Sequence, residues 1–445
     1  MSFTGSAAAA GTLRRTRVRY GVLAMIFIVT TLNYADRATL SITGSMLRQD
    51  FGIDSVRMGY IFSAFGWAYV MAQLPSGWLL DRFGARRVYA GSIFLWSLFT
   101  LLQGGVGVIG GAAAALASLF VLRFLVGMAE APAFPANAKV VASWFPNAER
   151  GLASAIFNAA QYFAAVVFTP MMAWLTHAFG WRHVYLWMGL AGMALATMWW
   201  RTVRSPDQHP GVNRAELSHI VEGGGIPDMD GGKARGSRGQ RSQQLRQLLR
   251  QRMLLGVYLG QYCVNVLTYF FLTWFPIYLV QARGMSILKA GFVASLPAIC
   301  GFAGGVLGGA ISDWLLRRGY SLTAARKIPI VGGMLLSVTM IGCNYVDSEV
   351  LVVALMALAF FGKGIGALGW AVVADTAPRQ AIGLSGSIFN MFGNLAGIVT
   401  PIVIGYIVGT THSFNGALVF VGINALVCVF SYLVLVGEIR RVELD

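Results

Sequence analysis

Charge is what this chain has least of. Only 12% of its 445 residues are Asp, Glu, Lys or Arg, about half the share a soluble domain carries. Apolar residues make up 56%, and the 54 glycines raise the non-polar share to roughly two thirds. That leaves too little polar surface for a soluble enzyme, a nucleic-acid-binding module or a disordered scaffold. Cysteine is scarce as well. Cys263, Cys300, Cys343 and Cys428 each sit in an apolar run with no CxxC spacing, so neither a disulfide framework nor a metal site is implied. None of the five lysines lies in a GxxxxGK[ST] loop, which excludes a nucleotide-driven pump in this chain. His177, His183 and His412 are scattered near helix ends with no nucleophile beside them. No catalytic residue and no cofactor is expected.

What the chain does have is length in apolar runs. Twelve stretches of about the 20 residues that cross a bilayer as helix fall near 20–45, 57–79, 88–106, 115–138, 151–175, 182–201, 253–281, 287–312, 327–344, 350–374, 383–409 and 414–437. The expected organisation is a tail over 1–19, a six-helix half over 20–201, a polar linker over 202–252, a second six-helix half over 253–437 and a tail over 438–445. The first span is too long for a secretory signal and contains Asp36 and Arg37, so it is expected to remain in the mature protein. With the N-terminus cytoplasmic, 26 of the 34 basic residues fall on the cytoplasmic side and five outside. That bias predicts cytoplasmic termini and explains the net charge of +16 without a nucleic-acid partner.

The halves repeat at an offset of 232 residues. Gly77 and Asp81 return as Gly309 and Asp313, Arg86 as Arg318, Pro146 as Pro378, and Ile156-Phe157-Asn158 as Ile388-Phe389-Asn390. Two equivalent six-helix halves around a central site are the architecture of alternating-access carriers. The expected fold is therefore an all-α membrane protein of twelve helices in two pseudo-symmetric halves.

Five ionisable residues lie well inside these spans: Asp36, Arg37, Arg123, Glu130 and Lys363. Each costs a few kcal/mol in hydrocarbon unless paired or hydrated. Asp36 with Arg37, and Arg123 with Glu130, can be read as structural ion pairs. Arg123 and Glu130, seven apart, share a helix face, whereas Asp36 and Arg37 diverge by about 100° and either can face a central cavity. Lys363 has no partner in its own helix, and Asp375 lies twelve residues away, about 18 Å along a helix. An unpaired ammonium at that depth suits a negatively charged substrate. Pro132 and Pro135 should interrupt the helix just after Glu130, and the line Gly301, Gly305, Gly309 reads as close helix packing.

The loop GWLLDRFGARR, Gly77 to Arg87, and its degenerate copy from Gly309 to Arg318 resemble the signature of the major facilitator superfamily. NYADRATLS (33–41), MGYIFSAFGWAY (58–69), EAPAFPANA (130–138), FFLTWFPIYL (270–279) and ALAFFGKGIGALGW (357–370) resemble bacterial sugar-acid importers of the anion:cation symporter family. Among these, the glucarate and galactarate carriers are nearer and the galactonate carriers next.

The resemblance implies proton coupling at Asp36 and Glu130 and a carboxylate ligand at Arg37. Tyr34, Tyr69, Gln161, Trp370 and Asn390 match positions near the substrate, with Tyr162, Gln261, Asn265 and Asn394 as further polar candidates. Lys363 stands where galactonate carriers have an uncharged residue, so a second carboxylate is expected to meet it. Asp81, Arg82, Arg86, Arg87 and Asp313 are expected to form a cytoplasmic gate. The expectation is a proton symporter for a sugar diacid in the bacterial inner membrane, acting as a monomer in the bilayer. The alternative is one for a monoacid such as galactonate or a hexuronate. A channel-like facilitator and a transporter-like sensor are the other classes; proton-dependent saturable uptake and substrate counterflow separate them from a carrier.

Overall fold

The computed structural model describes residues 15–108, 111–146, 149–229, 238–378 and 382–443. The first half is built from α1 (Val18–Phe51), α2 (Ser55–Phe83), α3 (Ala85–Gln103), α4 (Ala112–Glu130), α5 (Ala133–Trp144), α6 (Arg150–Phe179) and α7 (Trp181–Thr202). Two short helices follow, α8 (Arg214–Glu222) and α9 (Arg238–Leu248). The second half holds α10 (Arg252–Tyr269), α11 (Phe275–Gln281), α12 (Ile287–Arg317), α13 (Leu322–Ser337), α14 (Glu349–Ile365), α15 (Gly369–Thr376), α16 (Ile382–Thr411) and α17 (Asn415–Phe430). Helices stand at each of the twelve positions named above. Among the described residues, nine spans are long and apolar enough to cross a membrane by themselves; α2, α3 and α7 occupy the other three positions.

Several rods are interrupted where the sequence demands it. Glu130 ends α4, and Pro132, which has no amide hydrogen to donate, precedes α5. A π-helical turn, Phe270–Trp274, separates α10 from α11, with Pro276 just beyond it. Gly366 and Leu368 separate α14 from α15 two residues after Lys363's turn ends.

The halves meet along two seams, α2 with α16 and α6 with α12. The offset of 232 carries α2 onto α12 and α6 onto α16, so each seam is the image of the other. Both are tight at one end and part towards the other. A side chain on Gly59 would lie 2.5 Å from the Pro401 carbonyl oxygen, and one on Gly66 2.9 Å from Gly397, whereas Gly77, at the far end of α2, has nothing within 4 Å. On the other seam Gly291 abuts Ala173, and Gly309 again has nothing within 4 Å. At the tight end Arg48 donates to Gln281 across the halves at 2.6 Å. The molecule is therefore closed at the α2 N-terminus and open at the end bearing the start of α1.

The closed end rests on glycines. Changing Gly66 to leucine is expected to drive α2 and α16 apart, because backbone cannot yield to an inserted side chain. Spin labels at the exposed positions Arg57 and Thr410 should then report a longer distance than in the parent protein; an unchanged distance would show that the seam tolerates bulk.

Small residues also set the depth of α14. Gly301, Gly304 and Gly308 of α12 press against the backbone or rings of Phe360, Phe361 and Ile365. Of the expected line, Gly301 and Gly305 serve this contact, since a side chain on Gly364 of α14 would lie 2.8 Å from the Gly305 amide nitrogen, whereas Gly309 has nothing within 4 Å. At the open end, part of the segment expected to be a linker packs on the first half. Glu216 of α8 is fully buried and accepts from Thr16 Oγ1 at 2.6 Å, from the amides of Val18 and Arg19, and from the Arg19 guanidinium. It thereby satisfies free donors in the first turn of α1.

Candidate functional site

The buried charges gather in the first half, but not in the expected pairs. Arg37 Nε donates to Glu130 Oε2 at 2.9 Å, joining α1 to α4. Asp36 Oδ1 accepts from Thr100 Oγ1 of α3 at 2.7 Å, while its carboxyl group also stands against that of Glu130. Arg123 makes no ion pair within 4 Å among the described residues; its guanidinium sits 5.5 Å from the Phe65 ring centre and acts electrostatically on both carboxylates. The expected pairs Asp36 with Arg37 and Arg123 with Glu130 are thus corrected. Neighbours in one helix must diverge, and a pairing across helices shortens the distance that two turns within α4 leave open.

Arg37 is held in an aromatic cage. Tyr34, Phe65 and Tyr69 place their rings 4.8–5.0 Å from its guanidinium carbon, a geometry that stabilises a desolvated cation. Its Nη2 has no hydrogen-bond partner, and neither do Glu130 Oε1 and Asp36 Oδ2. The cage therefore keeps one guanidinium nitrogen free for an incoming acceptor. From the opposite half, Tyr269 interacts electrostatically with Arg37 while its hydroxyl donates to Asn394 Oδ1.

Lys363 is the second buried cation, 5% exposed. Among the described residues it has no hydrogen bond or ion pair; its ammonium lies 4.9 Å from the Phe360 ring and 5.9 Å from that of Tyr162. Asp375 is committed elsewhere, to Arg326 at 2.8 Å. An ammonium with three donors and only ring faces for company is poised for an anion.

A cavity is lined by Tyr34, Ser41, Gln161, Tyr162, Thr268 and Phe360 among others; neither cation is in its lining, but Tyr34 packs on Arg37, and Tyr162 and Phe360 on Lys363. Tyr34 and Gln161 were expected there. Tyr69 is outside the lining and packs on Arg37. Trp370 and Asn390 stand outside that lining. Trp370 is half exposed and packs edge-on against Phe389 at 4.9 Å, and Asn390 accepts from Asn394. Tyr162, Tyr269 and Phe65 carry more of the observed geometry than the sequence suggested. Phe65 could have been found from its spacing of four to Tyr69 on one face; Tyr269 has no local signal, since its partner is 125 residues away.

The expected gate residues lie at the open end. Arg82 stacks over Trp78 and Phe83, and Arg86 over Trp200, whose carbonyl oxygen also accepts from it, all within the first half. Arg87 and Asp313 are exposed, and the Asp81 side chain lies outside the described residues.

Residues 26–325 match the model of the Major Facilitator Superfamily. The chain belongs to that family. It is a multi-pass membrane transporter, not an enzyme. Full-length relatives include the probable galactarate/D-glucarate transporters GudP of Escherichia coli K12, 62% identical over 99% of this chain and 98% of that protein, and of Bacillus subtilis 168, 63% identical over 97% and 94%. A D-galactonate transporter of Escherichia coli O6:H1 is 41% identical over 96% and 97%. Among solved structures, a bacterial homologue of the lysosomal transporter Spinster, inward-facing and occupied, superposes with a TM-score of 0.74 at 14% identity over 94% of this chain and 97% of that one. A D-xylose-proton symporter gives 0.70 at 14% over 95% and 99%. These two likenesses speak for the fold.

Proposed function

We propose that this protein imports sugar diacids of the glucarate and galactarate class together with protons, by alternating access across the bacterial inner membrane. The observation that carries the reading is the pair of buried cations, Arg37 in one half and Lys363 in the other, each with donors left unbonded. A six-carbon dianion can bridge them, and its contact with both halves would favour closing over it. The relatives named for galactarate and glucarate transport support the same substrate class.

Asp36 and Glu130 take the protons in this reading. With Arg37, Arg123 and Lys363 charged and both carboxylates ionised, the empty site carries +1; with both protonated and a dianion bound it carries +1 again. Two protons make the cycle electroneutral. Without them, a dianion entering against 100 mV would cost about 4.6 kcal/mol. The termini, and with them the open end, face the cytoplasm, so the conformation is inward-facing. The gate residues Asp81, Arg82, Arg86, Arg87 and Asp313 then close that end in the outward-facing state, and the carrier works as a monomer.

The purified protein in liposomes should accumulate labelled glucarate and galactarate when the outside is acidic, and a protonophore should abolish the accumulation. Fewer than two protons moved per substrate would overturn the stoichiometry; uptake indifferent to the proton gradient would overturn the coupling.

A further inference from the structure

Glu130 is completely buried although the halves are parted. On its cavity side it is covered by Arg37, itself 6% exposed and walled by Tyr34, Phe65 and Tyr69. The charged groups acting on it are Arg37, Asp36 and Arg123, and none of them opens to solvent. Glu130 is therefore out of direct contact with solvent on its cavity side in this conformation.

Behind Glu130, inside the first half, polar groups with unused hydrogen-bonding capacity are collected. Asn33 lies one turn from Arg37 on the same face of α1, and neither its amide nitrogen nor its oxygen has a partner. Thr30, one turn nearer the open end, accepts from Asn137 Nδ2 at 2.9 Å, while Asn137 Oδ1 is unbonded. Tyr89, in the second turn of α3, has its hydroxyl facing Thr30 and Asn137 without a completed bond and within electrostatic reach of Glu130. All four are at most 1% exposed. They come from α1, α3 and α5 and lead from the end of α4 towards the open end. Buried polar atoms are bonded in the great majority of cases, so Asn33, Asn137, Tyr89 and Glu130, each with a free atom in one small region, mark a place built to hold water.

We infer that Glu130 exchanges its proton with the compartment at the open end through this column, Asn33 to Thr30 and Asn137 to Tyr89, and not through the substrate cavity. The inference rests on Glu130 being a coupling carboxylate. In the step, the carboxyl O–H breaks as an O–H forms on a water held by Asn33; each later water accepts one proton and gives up another while the amides and hydroxyls only orient it, and one proton leaves beyond the Tyr89 hydroxyl. Amides and hydroxyls both donate and accept, which lets them order such a chain while keeping their own protonation.

The test uses the full-length protein in liposomes with labelled glucarate. Tyr89→Phe keeps the ring on Trp199 and removes only the hydroxyl; Asn33→Leu keeps the volume and removes the amide. Net uptake driven by a pH gradient should slow 10-fold or more in each, while glucarate counterflow at equal pH, which needs no proton release, should stay within 2-fold. Unchanged net uptake, or equal loss of both activities, would overturn the route. Glu130→Gln serves as reference: accumulation at the full parental ratio in that variant would remove the underlying coupling assignment instead, whatever the column variants do.

Discussion

Replacing Lys363 with asparagine is expected to weaken uptake of glucarate and galactarate by 10-fold or more while sparing or improving that of a six-carbon monoacid. Lys363 is buried, has no counter-charge among the described residues, and places its ammonium by the rings of Phe360 and Tyr162. One charged hydrogen bond in such surroundings contributes about 1.5–3 kcal/mol, which is roughly 10- to 150-fold in affinity. A monoacid leaves the ammonium unpaired on binding, so the neutral side chain removes a cost for it. Competition of each acid against labelled glucarate, in wild type and variant, reads the discrimination directly. Equal loss for diacid and monoacid would assign Lys363 a structural role and return the monoacid reading to the front.

Much of this site was visible before any coordinates. Membrane spans declare themselves because a bilayer tolerates few patterns, and the five intramembrane charges stand out because each is costly there. The repeat at 232 residues made α2 and α12 equivalents, but that α2 meets α16 and α6 meets α12 came only with the packing. What the sequence could not supply was the choice of partner. Arg37 and Asp36 differ by about 100° around α1, so one must meet α4 and the other α3, and only the packing of three helices decides that Glu130 receives Arg37. The glycine line held at Gly301 and Gly305 but missed Gly304 and Gly308, which also press on α14, and failed at Gly309, because the crossing direction of two helices is a property of the pair. Tyr269 was invisible since nothing within α10 marks it out. Lys363 was legible because its isolation is a local fact, and the structure leaves it isolated.

Glutamine at position 130 is expected to separate binding from accumulation. The Arg37 side chain now has Nε bonded to Glu130 and a buried Nη2 without an acceptor. An ionised Glu130 therefore competes with a substrate carboxylate for the guanidinium, and protonating it removes the competitor. Acidification should accordingly strengthen diacid binding to the parent protein, and alkaline pH should weaken it. Glutamine has the same shape and stays neutral at every pH, so the variant should bind glucarate at pH 8 about as tightly as at pH 5.5, which calorimetry on the purified protein can read. In the proposed cycle the same substitution deletes one of two coupling protons. Each proton is worth about 1.36 kcal/mol per unit of pH gradient, so the limiting accumulation ratio should fall about 10-fold for every unit imposed, even where counterflow continues. A variant that retains both the pH dependence of binding and the full accumulation ratio would show that the proton is carried elsewhere, with Asp36 and its bond to Thr100 the next place to look.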